Sequence, residues 1–208
     1  MDQFSVYLTY APVASAIFAI TLIFSLLAFY SDELYSRFIL QPYSVSRGEY
    51  VYTLLTSGLI HRDWPHLIFN MMSYYFFAFQ LETVIGHWQF GLLYTVSLIL
   101  SDMPTVLKHK EDYWYRSLGA SGAISAVVFS SILFFPFAQM GLIFLPIHVP
   151  AIVFGALYLV YCVYASRQAI GSINHDAHFY GAICGIIVTI ALYPRVVPAF
   201  FHHLSTLS

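Results

Sequence analysis

The sequence predicts an all-α polytopic membrane protein built as a bundle of six transmembrane helices, and three observations lead there. The 208 residues are 60% hydrophobic, with a mean hydropathy of +0.75. Only 9% are charged, against roughly a quarter in a soluble globular chain. The charges are also bunched, which leaves uncharged intervals long enough to cross roughly 30 Å of hydrocarbon at about 1.5 Å per residue. Alternation of the β-barrel kind is not seen.

The first uncharged interval runs from Gln3 to Ser31. Residues 1–10 contain no Lys or Arg, so this stretch lacks the basic leader of a cleavable signal and is expected to be retained as a span. From Asp32 to Asp63 charges alternate with Phe38, Ile39, Leu40, Tyr50, Tyr52, Leu54 and Leu55, a mixture suited to short interfacial helices or to an ordinary packed loop. Trp64 to Leu81 and Thr83 to Ser101 supply the second and third spans. The stretch from Ser117 to Ser166 has no formal charge and is too long for one crossing. Pro136, Pro146 and Pro150 divide it into a fourth and a fifth span. Ala177 to Pro194 is the sixth. No repeat or second domain is visible, so residues 1–208 read as a single domain with its core at about 10–195.

A net charge of −2 without any Lys/Arg block argues against nucleic acid as a partner. Cys162 and Cys184 lie in apolar runs and read as small buried hydrophobes rather than a disulfide. Orientation carries a conflict. Arg37, Arg47, Arg62, Lys108, Lys110, Arg116 and Arg167 all fall in loops after odd-numbered spans, with Arg195 alone opposite, and the positive-inside rule places those odd loops in the cytoplasm.

With six alternating helices, spans two, four and six start from one side of the bilayer. His66, Ser121 and His178 each sit near the start of one of them and so share a depth. His66 and Asn70, four apart, share a helix face that Ser73 and Phe77 continue. On the sixth span Gly181-xxx-Gly185 permits close approach, and Gly122 with Ala126 offers matching spacing on the fourth. Such packing is expected to bring the Ser121 hydroxyl within hydrogen-bond reach of the His178 ring, the arrangement a serine nucleophile needs. His66, Asn70 and the Ser121 amide at a helix N-terminus could then donate to an oxyanion.

Each feature alone has a plainer reading: a backbone-bonded serine, an interfacial histidine, a packing notch. Three polar groups at one depth argue for a site. Together Gly119-Ala120-Ser121-Gly122, His178 with Gly181 and Gly185, His66-xxx-Asn70, His61 and Glu82-xxx-Gly86 resemble the rhomboid family of intramembrane serine proteases, over roughly residues 10–195. The resemblance implies a rhomboid-like bundle with Ser121 as nucleophile and His178 as general base. It implies His66 and Asn70 as oxyanion residues, and no cofactor or metal. Its implied partners are the lipid bilayer and single-span membrane proteins that enter beside the fifth span and are cut near a small residue. A multi-pass location in a plasma (inner) membrane, with the N-terminus cytoplasmic and the site mouth outside, is implied as well, opposite to the charge count.

The sequence departs from the family pattern at Tyr52-Thr53, where a Trp-Arg pair is usual. It departs again at Ser125, where an aromatic often packs under the catalytic histidine; Tyr180, Phe129 or another ring could replace it. Two alternatives stay open. One is a zinc-dependent, ceramidase-like membrane hydrolase using Ser57, His61, Asp102, His175 and His178. The other is an inactive rhomboid-like protein that binds membrane helices. His175 and Asp176 are expected to face water, Lys108 to Asp112 to form a solvated loop capping the site, and His202-His203 to belong to a disordered tail.

Overall fold

The computed structural model describes residues 3–141, 148–168 and 173–205. The first interval is not one continuous helix: α1 (Gln3–Tyr10) and α2 (Pro12–Phe29) break at Ala11, where Pro12 takes the helical position at which a missing N–H costs nothing. The free amides at the start of α2 find an acceptor far along the chain. Glu82, fully buried, takes Val13 N at 3.1 Å and Ala14 N at 2.5 Å, and His87 Nδ1 lies 2.6 Å from the same carboxylate. A carboxylate against a helix N-terminus is favoured by the helix dipole as well as by the hydrogen bonds. It ties the first span to the end of the second.

The charged segment folds as short helices, in keeping with its mixed composition: α3 (Asp32–Phe38), α4 (Pro42–Val45), α5 (Thr53–Thr56) and a 3-10 turn over Ser57–Leu59. Then come α6 (Trp64–Ile85) and α7 (His87–Lys108), separated by Gly86 at φ +87, a left-handed turn that a side chain would strain. Leu40, Val45 and Leu54 of the short-helix segment bury against Val106 of α7, so the segment is packed onto the bundle.

The uncharged stretch after Ser117 divides as expected, into α8 (Ser121–Phe134) and α9 (Ala151–Gln168). Between them β1 (Gln139–Gly141) and β2 (His148–Pro150) form a two-stranded antiparallel ribbon that the sequence reading did not anticipate; Pro146 lies outside the described residues. The chain closes with α10 (His175–Leu192) and α11 (Val196–Ser205). His202 and His203 are therefore helical, not a disordered tail, and Val196 anchors α11 by burial.

α2, α6, α7, α8, α9 and α10 occupy the six predicted span positions. Among the described residues α2, α7, α9 and α10 are long and apolar enough to cross a membrane on those grounds alone. α6 has the length but carries His66, Asn70 and Glu82, and α8 is 14 residues long. α8 is the centre of the bundle, with α10, α7 and α6 against it. Leu67, Met71 and Tyr74 of α6, Phe90, Leu93 and Tyr94 of α7 and Ala123, Ile124 and Val127 of α8 form one continuous core. Ile23 and Leu27 of α2 and Val153, Leu157 and Val160 of α9 point outward, as lipid-facing residues do.

Candidate active site

His66, Ser121 and His178 lie at the N-terminal ends of α6, α8 and α10, on one side of the bundle, and line a single cavity of about 720 Å³ together with Asn70, Gly119 and Asp102. Each element start is fixed locally. Asp63 caps α6, its Oδ1 accepting His66 N at 2.9 Å, and the Arg62 guanidinium bonded to Oδ2 holds this carboxyl below the usual range. Asn174 caps α10 by accepting Ala177 N at 3.1 Å, while its Nδ2 donates to Thr105 Oγ1 and Ser117 Oγ. That one side chain ties the start of α10 to α7 and to the loop entering α8.

The loop before Ser121 is held by Gly119 N donating to Ser57 O at 2.9 Å and by the Leu40–Ser117 bridge. Gly119 has φ +113, and a Cβ there would lie 2.8 Å from His66 Nε2 and 3.8 Å from Asn70 Nδ2. Glycine is thus favoured twice, for its conformation and for the close approach of the His66 ring. The Asn70 amide nitrogen is buried and has no hydrogen-bond partner among the described residues. Leaving such a donor unsatisfied costs about 1–3 kcal/mol, so an acceptor arriving in the cavity would meet a ready donor. His66 accepts a long 3.5 Å bond from Arg62 N at Nδ1, which leaves Nε2 to carry the ring hydrogen toward Gly119.

His178 is held from α9. The Tyr158 hydroxyl lies 3.0 Å from His178 Nδ1, the two rings are 15° from parallel, and Ser125 Oγ reaches the same hydroxyl at 3.3 Å. The ring that Ser125 cannot supply comes from Tyr158, with Phe129 packed 6.1 Å behind it, while Tyr180 is exposed. No hydrogen bond joins His178 to Ser121 in this state, although close packing predicts one; catalytic hydrogen bonds are often long before substrate binds.

Around the site α10 meets α8 through backbone, and α7 meets α8 through a side chain. A Cβ on Gly181 would lie 2.1 Å from Gly122 O, one on Gly185 2.3 Å from Ala126 O, and one on Gly122 2.2 Å from Ser101 Oγ. At the same end the expected solvated residues are engaged. His175 is buried, and Asp176 pairs with Lys108 Nζ at 2.6 Å and accepts from Ser166. Lys108 therefore belongs to an inter-helix tie, while Lys110, Glu111 and Asp112 are exposed in the turn after α7, as a solvated loop is. His109, stacked on Tyr115 at 3.6 Å, is held below its ordinary pKa by burial. The ceramidase-like donor set is not assembled. Among the described residues the one group of three metal-ligating side chains is Cys162, His175 and His178, without His61 or Asp102. His61 instead bonds Ser25 Oγ at 2.9 Å and fastens the turn before α6 to α2.

Tyr158 and Asn174 are absent from the sequence-derived site. Tyr158 had a detectable signal, because it falls on the stripe Gly155, Tyr158, Cys162, Ala165, the small-residue face that α9 turns inward. Asn174 stands three residues before Ala177, where the last uncharged span begins and a helix cap is expected.

A multi-pass helical membrane protein with polar groups gathered at one end of its central helices is the class that fold and cavity define. Residues 48–195 match the Rhomboid domain family, and the chain belongs to that family. The Bacillus subtilis protein YdcA, named as a candidate rhomboid protease, is 40% identical over 80 residues, covering 38% of this chain and 39% of its own. The Saccharomyces cerevisiae mitochondrial Rhomboid protein 1 is 27% identical over 161 residues, 71% of this chain and 44% of its own. Inactive rhomboid protein 1 of Drosophila melanogaster is 26% identical over 157 residues, 73% of this chain and 10% of its own. The chain thus spans half or less of the length of these relatives. Mitochondrial names among them give no support to a plasma-membrane location, and the multi-pass membrane location stands.

Proposed function

We propose that the chain is an intramembrane serine endopeptidase that cleaves single-span membrane proteins in or near their transmembrane segment. Ser121 Oγ attacks the scissile carbonyl and His178 accepts its proton. The tetrahedral oxyanion takes hydrogen bonds from Asn70 Nδ2, His66 Nε2 and the Ser121 amide at the start of α8. His178 then returns the proton to the leaving amine, and water repeats the sequence to release the acyl group from Ser121. Tyr158 orients the His178 ring through Nδ1, which directs Nε2 to the proton transfer. The unpartnered Asn70 amide, buried in the cavity that Ser121 and His178 share, carries the reading, because an inert helix-binding bundle has no use for an unsatisfied donor there.

The substrate is proposed to approach beside α9, whose outward face is apolar and whose Tyr158 reaches His178 at the edge of the cavity. The bilayer is proposed to be a plasma (inner) membrane, and subcellular fractionation of the native protein tests that assignment. A fluorophosphonate probe in detergent tests the chemistry. Labelling of wild type and its loss in Ser121→Ala supports the nucleophile; equal labelling of both, or none in either, returns the chain to the inactive helix-binding class. Cleavage of a single-span substrate in lipid, lost in Ser121→Ala and in His178→Ala, then establishes the pair.

A further inference from the structure

Cys162 and Tyr158 stand four residues apart on α9, and His175 and His178 three apart on α10, so each pair shares a helix face. The two faces meet. The Cys162 sulfur and one nitrogen from each of His175 and His178 all lie within 4.8 Å of one another, and Cys162 and His175 are buried. The Tyr158 hydroxyl, 3.0 Å from His178 Nδ1, sits beside the same thiol.

We propose that Cys162, His175 and His178 form a binding site for a thiophilic divalent cation such as zinc, and that its occupancy reversibly switches the catalytic site off. One thiolate and two imidazoles are a donor set that zinc favours, with Zn–S at about 2.3 Å and Zn–N at about 2.0 Å. Ligand atoms in such a tetrahedral site lie roughly 3.5 Å apart, so side-chain rotations of about 1 Å close the set around an ion. The fourth position falls to water or to the Tyr158 oxygen.

Binding forms a metal–sulfur bond and releases the Cys162 proton to solvent. It also commits a lone pair of His178. If the metal takes Nε2, the proton acceptor is blocked; if it takes Nδ1, the hydrogen must sit on Nε2, which becomes a donor and can no longer accept from Ser121. Both routes stop the nucleophile from being activated. The metal is thus an inhibitor here, opposite to its role in a zinc hydrolase.

The inhibitory consequence rests on the serine-protease reading, but the binding does not, and two readouts keep them apart. The first is titration of the purified, reduced protein with cobalt(II). One equivalent is expected to produce a thiolate-to-cobalt charge-transfer band in the near ultraviolet, retained in Cys184→Ser and absent in Cys162→Ser, with at least a tenfold weaker affinity in His175→Ala. No band, or a band that survives Cys162→Ser, overturns the site even if the protein is an active protease. The second is substrate cleavage under a zinc titration. Wild type is expected to be inhibited and rescued by a chelator, and the near-isosteric Cys162→Ser to need at least ten times more zinc for half inhibition. Equal inhibition of both proteins, or of neither, overturns the switch. If wild type cleaves nothing, the protease reading has failed and the cobalt band alone decides the site.

Discussion

The Tyr158 hydroxyl of α9 lies 3.0 Å from Nδ1 of His178 on α10, with the two rings nearly parallel. A bond at Nδ1 fixes ring orientation and leaves Nε2 open, so in the proposed mechanism Tyr158 would act as a positioning residue. Tyr158→Phe keeps the stacking and removes one hydrogen bond of about 0.5–1.5 kcal/mol, and turnover of a reconstituted single-span substrate is expected to fall roughly 2- to 13-fold with little change in KM. The pH profile of turnover should move as well. A loss confined to KM would instead place Tyr158 in substrate binding.

Asn70 offers the sharpest test of the oxyanion assignment, because its amide has no structural partner to lose. Asn70→Ala is expected to lower kcat by roughly a hundred- to a thousandfold while the thermal midpoint in detergent stays within a few degrees. A large drop in that midpoint with kcat retained would mean that the residue serves folding.

Gly185 is backed by main chain rather than by a movable side chain, its hypothetical Cβ lying 2.3 Å from Ala126 O. Gly185→Ala must push α10 away from α8. Overpacking of this kind costs about 1–3 kcal/mol, so the denaturant midpoint should fall and cleavage with it. A midpoint equal to wild type would show that the two helices have slack at this crossing.

His61 lies in the turn before α6, outside the spans, and is completely buried; burial first, and His66 beside it second, hold its pKa down to about 3. A histidine kept neutral by folding binds its proton at the ordinary value of about 6.5 only when unfolded. Its contribution is therefore fully present above about pH 6.5 and is lost as pH falls toward 3, at up to about 1.4 kcal/mol per pH unit. Stability of wild type, measured by denaturant titration at pH 7, 6, 5 and 4, should fall along that slope, and His61→Gln should flatten it. Parallel curves for the two proteins would refute the assignment.

Much of this architecture was legible because hydrophobic spans announce themselves by length, and polar residues inside them are too costly to be incidental. The Ser117 to Ser166 stretch divides where its prolines cluster, and His66, Asn70, Ser121 and His178 gather at one end because alternating helices force them to. The break at Ala11 and Pro12 escaped, since both sides of it are equally apolar and the partner that satisfies the new helix start, Glu82, is remote in sequence. His175 and Asp176 were misjudged for a related reason. Charge and polarity suggest water, but Lys108 and Ser166 arrive from other helices to satisfy Asp176, and α9 covers His175. Tyr158 escaped because a tyrosine among apolar neighbours looks like filling until the helix it faces is known.

The shortness of α8 bears on how the proposed hydrolysis would proceed inside a bilayer. Fourteen residues span about 21 Å, against roughly 30 Å of hydrocarbon. α8 is therefore shorter than that thickness, and residues 115–119 ahead of Ser121 line the cavity it shares with His66 and His178. In the proposed protease, that cavity would give water, the second reactant, a place beside Ser121. Lengthening α8 by one turn between Ser121 and Gly122 would carry the serine about 5 Å along the helix axis, away from His66 and His178.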